Sequence, residues 1–435
     1  MEEKATLEHT EAAERHRKRP AVRFTLLLTS TLTVLAGAII SASLPVMEKH
    51  FADVPNSKVL VKLLLTLPAL FIVLGAPIAG FIVDRFGRKP LLLIGLILYG
   101  IAGTAGYFLD SLTTLLVSRA ILGIAVAGIM TCVTTLIADY YAGPERATVL
   151  GQQAAFMGLG GTVYTTLGGF LADFGWRNPF LIYTASFLIL PFAALLLAEP
   201  PQSGVRFASA AGTGGAGGSS GSSAPPTTEP MPAGTLALIY SIVALMQIIF
   251  YLIPVQMPFY LQTDFGKSGT LIGLAIGLGT LSFAIGSLLS PRVAARVPRP
   301  SLIPLSFALI ALGYTIVGFA PTYEIVIAGL VIGGQGFGYL LPQMAVWLTT
   351  IVPPALRGRA LGGQTTSVFL GQFLSPILVQ PVIAAQGYRG GYLAGALLLF
   401  FLAAVALVVA RVRGHILPRA HSAASTPVGE PSQNG

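Results

Sequence analysis

The sequence predicts an all-α membrane protein with twelve spanning helices arranged as two bundles of six. Three observations carry this. Of the 435 residues, 54% are hydrophobic and only 10% charged, whereas a soluble domain carries about 25% charged residues. Twelve apolar segments, each close to the ~20 residues that a bilayer core requires, follow one another along the chain. A polar stretch at 199–234, rich in glycine and serine, divides them six and six.

Residues 1–23 form a polar tail whose Arg15, Arg17, Lys18, Arg19 and Arg23 place this end in the cytoplasm. The tail is too charged, and the apolar run after it too long, for a cleavable signal. The first bundle, 24–198, holds segments at about 24–46, 59–83, 90–108, 112–138, 148–172 and 178–198. The first segment offers only Ser30, Thr31, Thr33, Ser41 and Ser43 as polar groups, with Glu48 at its outer end. Between the second and third lies Gly80-Phe-Ile-Val-Asp84-Arg85-Phe-Gly87-Arg88-Lys89-Pro90. Gly80 lets another helix approach closely. Asp84 is costly at a membrane face without a partner. Arg85, Arg88 and Lys89 belong on the cytoplasmic side, and Pro90 suits a first helical turn.

The fourth segment carries Arg119, expected to be the one charge well inside a span. Such an arginine faces a cavity or a bundle interior and pairs with something; a purely structural arginine bonded to backbone carbonyls is the competing reading. Asp139, Glu145 and Arg146 follow, and the fifth segment is dense in glycine, as close helix packing requires. The coil at 199–234 is a flexible tether.

The second bundle, 235–411, holds segments at about 235–263, 269–291, 301–319, 322–350, 359–385 and 390–411, with a tail at 412–435. Pro254 and Pro258 make the seventh a pliable outer gate flanked by Gln247, Tyr251, Gln256 and Tyr260. In the tenth, Gln335, Tyr339, Gln343 and Trp347 recur every four residues and share a face. That face is read as a cavity wall, against the alternative of hydrogen-bonding glue between helices. Together with Gln153 these residues make the expected substrate cavity.

Charge placement supports the count. Of the 26 Lys and Arg, 19 fall on the expected cytoplasmic side, six, including Lys62, on the outer side, and Arg119 within the membrane. The net charge of +9 is thereby explained by topology rather than by nucleic acid. One cysteine, Cys132, excludes a disulfide framework, and the five histidines all lie in tails or loops, so neither a metal nor another cofactor is expected. No P-loop, zinc-ligand spacing or nucleophile elbow is present, which argues against an enzyme or a membrane sensor. The halves look related: the stretch from Arg146 to Gln153 matches that from Arg357 to Gln364 at a constant offset of 211 residues. The charged loop has no such copy; Ser290 stands roughly where a second Asp84 would be.

The charged stretch resembles the G-x-x-x-D-R-x-G-R-K/R signature of the major facilitator superfamily, and the resemblance extends over about 24–411. It implies the fold of that superfamily, with substrate bound between two bundles. It also implies that Asp84 and Arg88 engage the loop of Asp139, Glu145 and Arg146 when the cytoplasmic gate closes. Helix N-termini favour nearby anions, so Asp84 is further expected to face the start of the eleventh helix near Arg357. A solvated surface ion pair is the alternative. A fourth-helix R-x-x-x-G pattern implies proton coupling through Arg119. Drug exporters of the superfamily carry Gly-Pro-x-x-Gly-Gly in the fifth helix; here Gly168 and Gly169 fit and the proline is absent.

The expected function is secondary active export of small amphipathic or neutral molecules, drug-like or sugar-like, in exchange for protons. The protein is expected to be a monomer in the cell membrane with both termini cytoplasmic. An importer or uniporter of a small neutral solute is the alternative. Lacking an acid in mid-helix, the cavity is expected to favour neutral or anionic over strongly cationic solutes.

Overall fold

In the computed structural model, residues 19–200, 233–353 and 356–416 are described. The tail before residue 19, most of the coil at 199–234 and the tail after 416 lie outside them. The first six helices are α1 (Pro20–His50), α2 (Ser57–Phe86), α3 (Arg88–Ala105), α4 (Leu112–Tyr140), α5 (Gly143–Ala172) and α6 (Asn178–Leu196). Then come α7 (Gly234–Phe265), α8 (Gly269–Arg296), α9 (Arg299–Phe319) and α10 (Tyr323–Ile351). The stretch Arg357–Ile416 is broken at Gly387, whose φ of 71° departs from helix. It supplies α11 (357–386) and α12 (388–416). Each apolar segment expected from sequence is thus a helix. All but the glycine-rich α5 belong to stretches that are long and apolar enough to cross a membrane.

The helix ends follow local chemistry. Gly87, with φ of 94°, makes the sharp turn from α2 into α3, a conformation open to glycine at little cost. Ser268 caps α8 by accepting from Leu271 N. Interior prolines occur in α2 (Pro68, Pro77), α7 (Pro258) and α11 (Pro376, Pro381), where each removes a backbone donor and bends the helix. α1 is interrupted by a short 3-10 turn at Ser41–Ser43.

Two hydrophobic cores form. One is built by α1–α6 and the other by α7–α12. Among the described residues, four buried ones pack into the core of the opposite bundle: Val255 and Phe259 into the first, Ala42 and Ala172 into the second. All four sit toward the end of the molecule remote from the charged loop. We call that the far end, and the end carrying Asp84–Lys89 the motif end. Large apolar side chains such as Phe81, Leu188, Leu195 and Leu397 are exposed around the perimeter. In water that would be an aggregation hazard; a lipid-facing surface requires it.

One charge departs from expectation. Lys62, expected in an outer loop, lies inside α2 and is 1% exposed. Arg119 is therefore not the sole charge within a span.

Candidate functional site: the seam between the bundles

Among the described residues, the seam is tight at one end only. α5 and α8 run together from the far end, where glycines allow backbone-to-backbone approach. A methyl on Gly169 would lie 2.8 Å from Gly273 Cα, and one on Gly158 would lie 2.6 Å from Ala284 Cβ. Further toward the motif end, a methyl on Gly151 would meet nothing within 4 Å. The two helices therefore diverge.

Polar contacts across the seam follow the same gradient. Asp173, just past the end of α5, accepts from the backbone N–H groups of Gly269 and Thr270 at 2.6 and 3.0 Å and from the Thr270 hydroxyl. It caps the positive end of α8 in trans. Burial pushes its carboxyl up, but the hydrogen bonds from Thr270 and Gly269 outweigh this and hold it below the usual aspartate value. The Ser41 hydroxyl donates to the Pro254 carbonyl. Lys62 Nζ donates to Gln380 Oε1 of α11 at 2.6 Å, and Gln256 Nε2 donates to the same oxygen at 3.4 Å.

Among the described residues, the charged loop at the other end bonds only within its own bundle. Arg88 Nε pairs with Asp139 Oδ2 at 3.1 Å, both side chains being mostly buried. Arg146 lies close enough to Asp139 to act on its charge. Glu199, after α6, accepts from the backbone N–H groups of Arg88 and Lys89 and so caps α3. Asp84 is exposed and makes no ion pair among the described residues. Arg357 Nε donates to Val352 O, 3.4 Å away in its own bundle, rather than to Asp84. Arg85 and Glu145 are exposed and Lys89 is half-buried, while Gly80 and Gly87 are buried. The structure therefore brings Arg88 and Asp139 together while the motif end is parted, so this pair does not depend on closure of that end as expected, and it leaves the expected Asp84–Arg357 approach unmade.

Midway along the seam, Tyr251 Oη donates to Gln372 Oε1 at 2.9 Å. A methyl on Gly37 of the opposite bundle would lie 3.5 Å from that phenol oxygen, so Tyr251 faces across the seam. Gln153 and Gln247 are buried, and the side-chain carbonyls of Gln247, Gln256 and Gln364 are enclosed without a hydrogen-bond partner. Unpartnered buried amides call for a ligand or water. Three glutamines of α11, Gln364, Gln372 and Gln380, stand outside the set expected from sequence. Their signal was simply an amide recurring in a long apolar segment.

Several expected residues are elsewhere. Arg119 is fully buried inside the first bundle, where its Nη2 donates to Ala102 O and Gly103 O at 3.0 and 2.9 Å. Its guanidinium lies 5.0 Å from the ring centres of both Phe180 and Tyr183. These carbonyls are at the negative end of α3, so Arg119 ties helices of the first bundle together, while its Nη1 is buried without a hydrogen-bond partner. The α10 stripe turns to α8. Gln335 Nε2 donates to Ser282 O and Oγ at 2.9 Å, Tyr339 donates to Gln335, and Gln343 Nε2 donates to Ser290 Oγ at 3.2 Å. Interhelical glue, rather than a cavity wall, describes it. Trp347 packs half-buried against the second core. Tyr260 is fully buried and donates to Val317 O of α9, inside the second bundle rather than at the seam.

Two helical bundles that meet along a seam closed at one end and parted at the other define a membrane transporter. The sequence profile of the Major Facilitator Superfamily matches residues 26–256 and 236–431, and the chain belongs to that superfamily of transporters. It is 30% identical over 181 residues to Multidrug resistance protein 1 of Bacillus subtilis, covering 42% of this chain and 46% of that protein. The chain thus spans about half the length of that relative. It is 26% identical over 389 residues to the class C Tetracycline resistance protein of Escherichia coli, covering 83% of this chain and 90% of that one. In fold it resembles the D-xylose-proton symporter (TM-score 0.71, 16% identity, 89% of this chain and 96% of the other). It also resembles the human organic anion transporter MFSD10 (0.61, 17%, 90% and 100%).

Proposed function

We propose that the protein exports small amphipathic, neutral or anionic molecules across the cell membrane by alternating access, driven by protons, with both termini in the cytoplasm. The single observation that carries this is the gradient along the seam, tight from Asp173 to Gly158 and open at Gly151. On this reading the motif end is cytoplasmic and the structure is the inward-open state. Closing the motif end would bring Asp84 to the start of α11, and parting the far end would break the Asp173, Ser41 and Lys62 contacts. Such paired making and breaking is the two-state element that alternating access needs.

The named activities of the multidrug and tetracycline resistance relatives support efflux as the direction. Asp84 and Asp139 are the acids we assign to proton exchange, since Arg119 is occupied in packing. The glutamines and Tyr251 along the seam offer neutral hydrogen-bonding groups, which suits solutes without strong positive charge.

The test is uptake into inside-out vesicles of a panel of fluorescent dyes, tetracyclines and sugars, with and without an uncoupler. Uptake that the uncoupler abolishes and Asp84→Asn or Arg88→Ala reduces is expected. Uptake indifferent to the uncoupler would replace antiport by facilitated diffusion, which the missing fifth-helix proline and the neutral first helix favour.

A further inference from the structure

Lys62 sits on the second turn of α2 at the far end. A lysine near a helix end ordinarily snorkels to water. This one crosses the seam instead. Its ammonium has one neutral acceptor, Gln380 Oε1, and lies 4.5 Å from the centre of the Phe259 ring on α7. No carboxylate pairs with it among the described residues. Glu48, the acid close enough to act on it, keeps its own Oε2 buried without a hydrogen-bond partner. Gln380 and Phe259 both belong to the opposite bundle, so the charge is enclosed only while the far end is shut.

We propose that Lys62 is a positioning residue for the transport cycle: a buried charge that biases the far end toward opening and is held in check by Gln380. A charge taken out of water is unfavourable unless well partnered, and a single amide oxygen offsets part of that. Opening the far end returns the ammonium to water. The two ends of one hydrogen bond should therefore act in opposite directions. Lys62→Met keeps the side-chain volume and deletes the charge, which favours the shut state. Gln380→Leu leaves the charge enclosed without its acceptor, which favours the open state. An ordinary latch, in which the bond simply holds the bundles together, would open in both variants. The inference rests on alternating access as proposed above.

The experiment uses the full chain in lipid nanodiscs with Cys132, which is buried, replaced by serine. Spin labels at Asp53→Cys and Ala385→Cys, both exposed and in different bundles, report the width of the far end by electron–electron distance measurement. Size-exclusion profiles select folded variants. Gln380→Leu is expected to raise the open-to-shut ratio about tenfold or more. Adding Lys62→Met to it is expected to reverse that rise. If Gln380→Leu fails to open the far end, or if the added Lys62→Met opens it further or leaves it open, the proposal is overturned. A single distance unchanged in every variant would overturn alternating access itself, and the proposal with it.

Discussion

A single methyl group added at Gly169 should push the far end open. The structure puts that methyl 2.8 Å from Gly273 Cα and nearer still to the Gly269 carbonyl. Ordinary van der Waals contact begins at 3.4 Å, and both obstacles are backbone atoms that cannot rotate aside. α5 and α8 must therefore separate by a good fraction of an ångström. Overpacking of this kind costs about 1–3 kcal/mol, which corresponds to roughly 5- to 150-fold in a two-state equilibrium. The penalty falls on the far-shut state alone, because the two helices part when the far end opens.

Gly151→Ala is the internal control. It lies on the same helix with nothing within 4 Å of the new methyl, and alanine is the better helix former by about 1 kcal/mol. The assay is labelling of Ser41→Cys by a membrane-impermeant maleimide in the Cys132→Ser background, since Ser41 is buried against Pro254 while the far end is shut. Gly169→Ala should speed labelling roughly tenfold, and Gly151→Ala should leave it unchanged. Equal rates in the two variants, or acceleration by Gly151→Ala alone, would refute the one-ended seam.

Other expectations follow from the same geometry. Arg119→Met should lower the thermal stability of the purified protein, since it removes two charge-assisted hydrogen bonds worth about 1.5–3 kcal/mol each, while folded molecules keep the wild-type pH dependence of transport. A changed pH profile at normal stability would restore Arg119 to the coupling machinery. Gln335→Ala should reduce stability by about 1 kcal/mol in a detergent melt without altering substrate affinity. Asp173 is held below the usual aspartate range, so its contribution to closing the far end is present above about pH 4 and lost only as pH falls through its lowered value. Labelling of Ser41→Cys should therefore show no Asp173-dependent change between about pH 8 and 5, whereas Asp173→Asn should speed it throughout. An Asp173-dependent transition near pH 6 would contradict the hydrogen-bonded geometry.

Much of this protein is written in local sequence. Hydropathy places most of the helices, because each span must satisfy its backbone internally and bury its apolar side chains in lipid or in its neighbours, whereas the glycine-rich α5 falls short of that criterion. The cation bias of the loops is likewise readable within a few residues of chain. Which way a buried polar side chain points is a different kind of fact. The four-residue spacing of Gln335, Tyr339 and Gln343 specifies a shared face but not whether that face meets a cavity or α8, and α8 lies more than forty residues earlier in the chain. Arg119 is an intramembrane charge in any reading, yet only the approach of α3 and α6 turns it into a tie between helices. Lys62 is the sharpest case. A lysine one turn inside a helix end reads as a loop cation that snorkels to water, and its burial is decided by where α7 and α11 of the other bundle close over it. The helices follow from interactions along the chain, whereas the partners of buried charges and amides follow from packing between bundles, which local sequence does not encode.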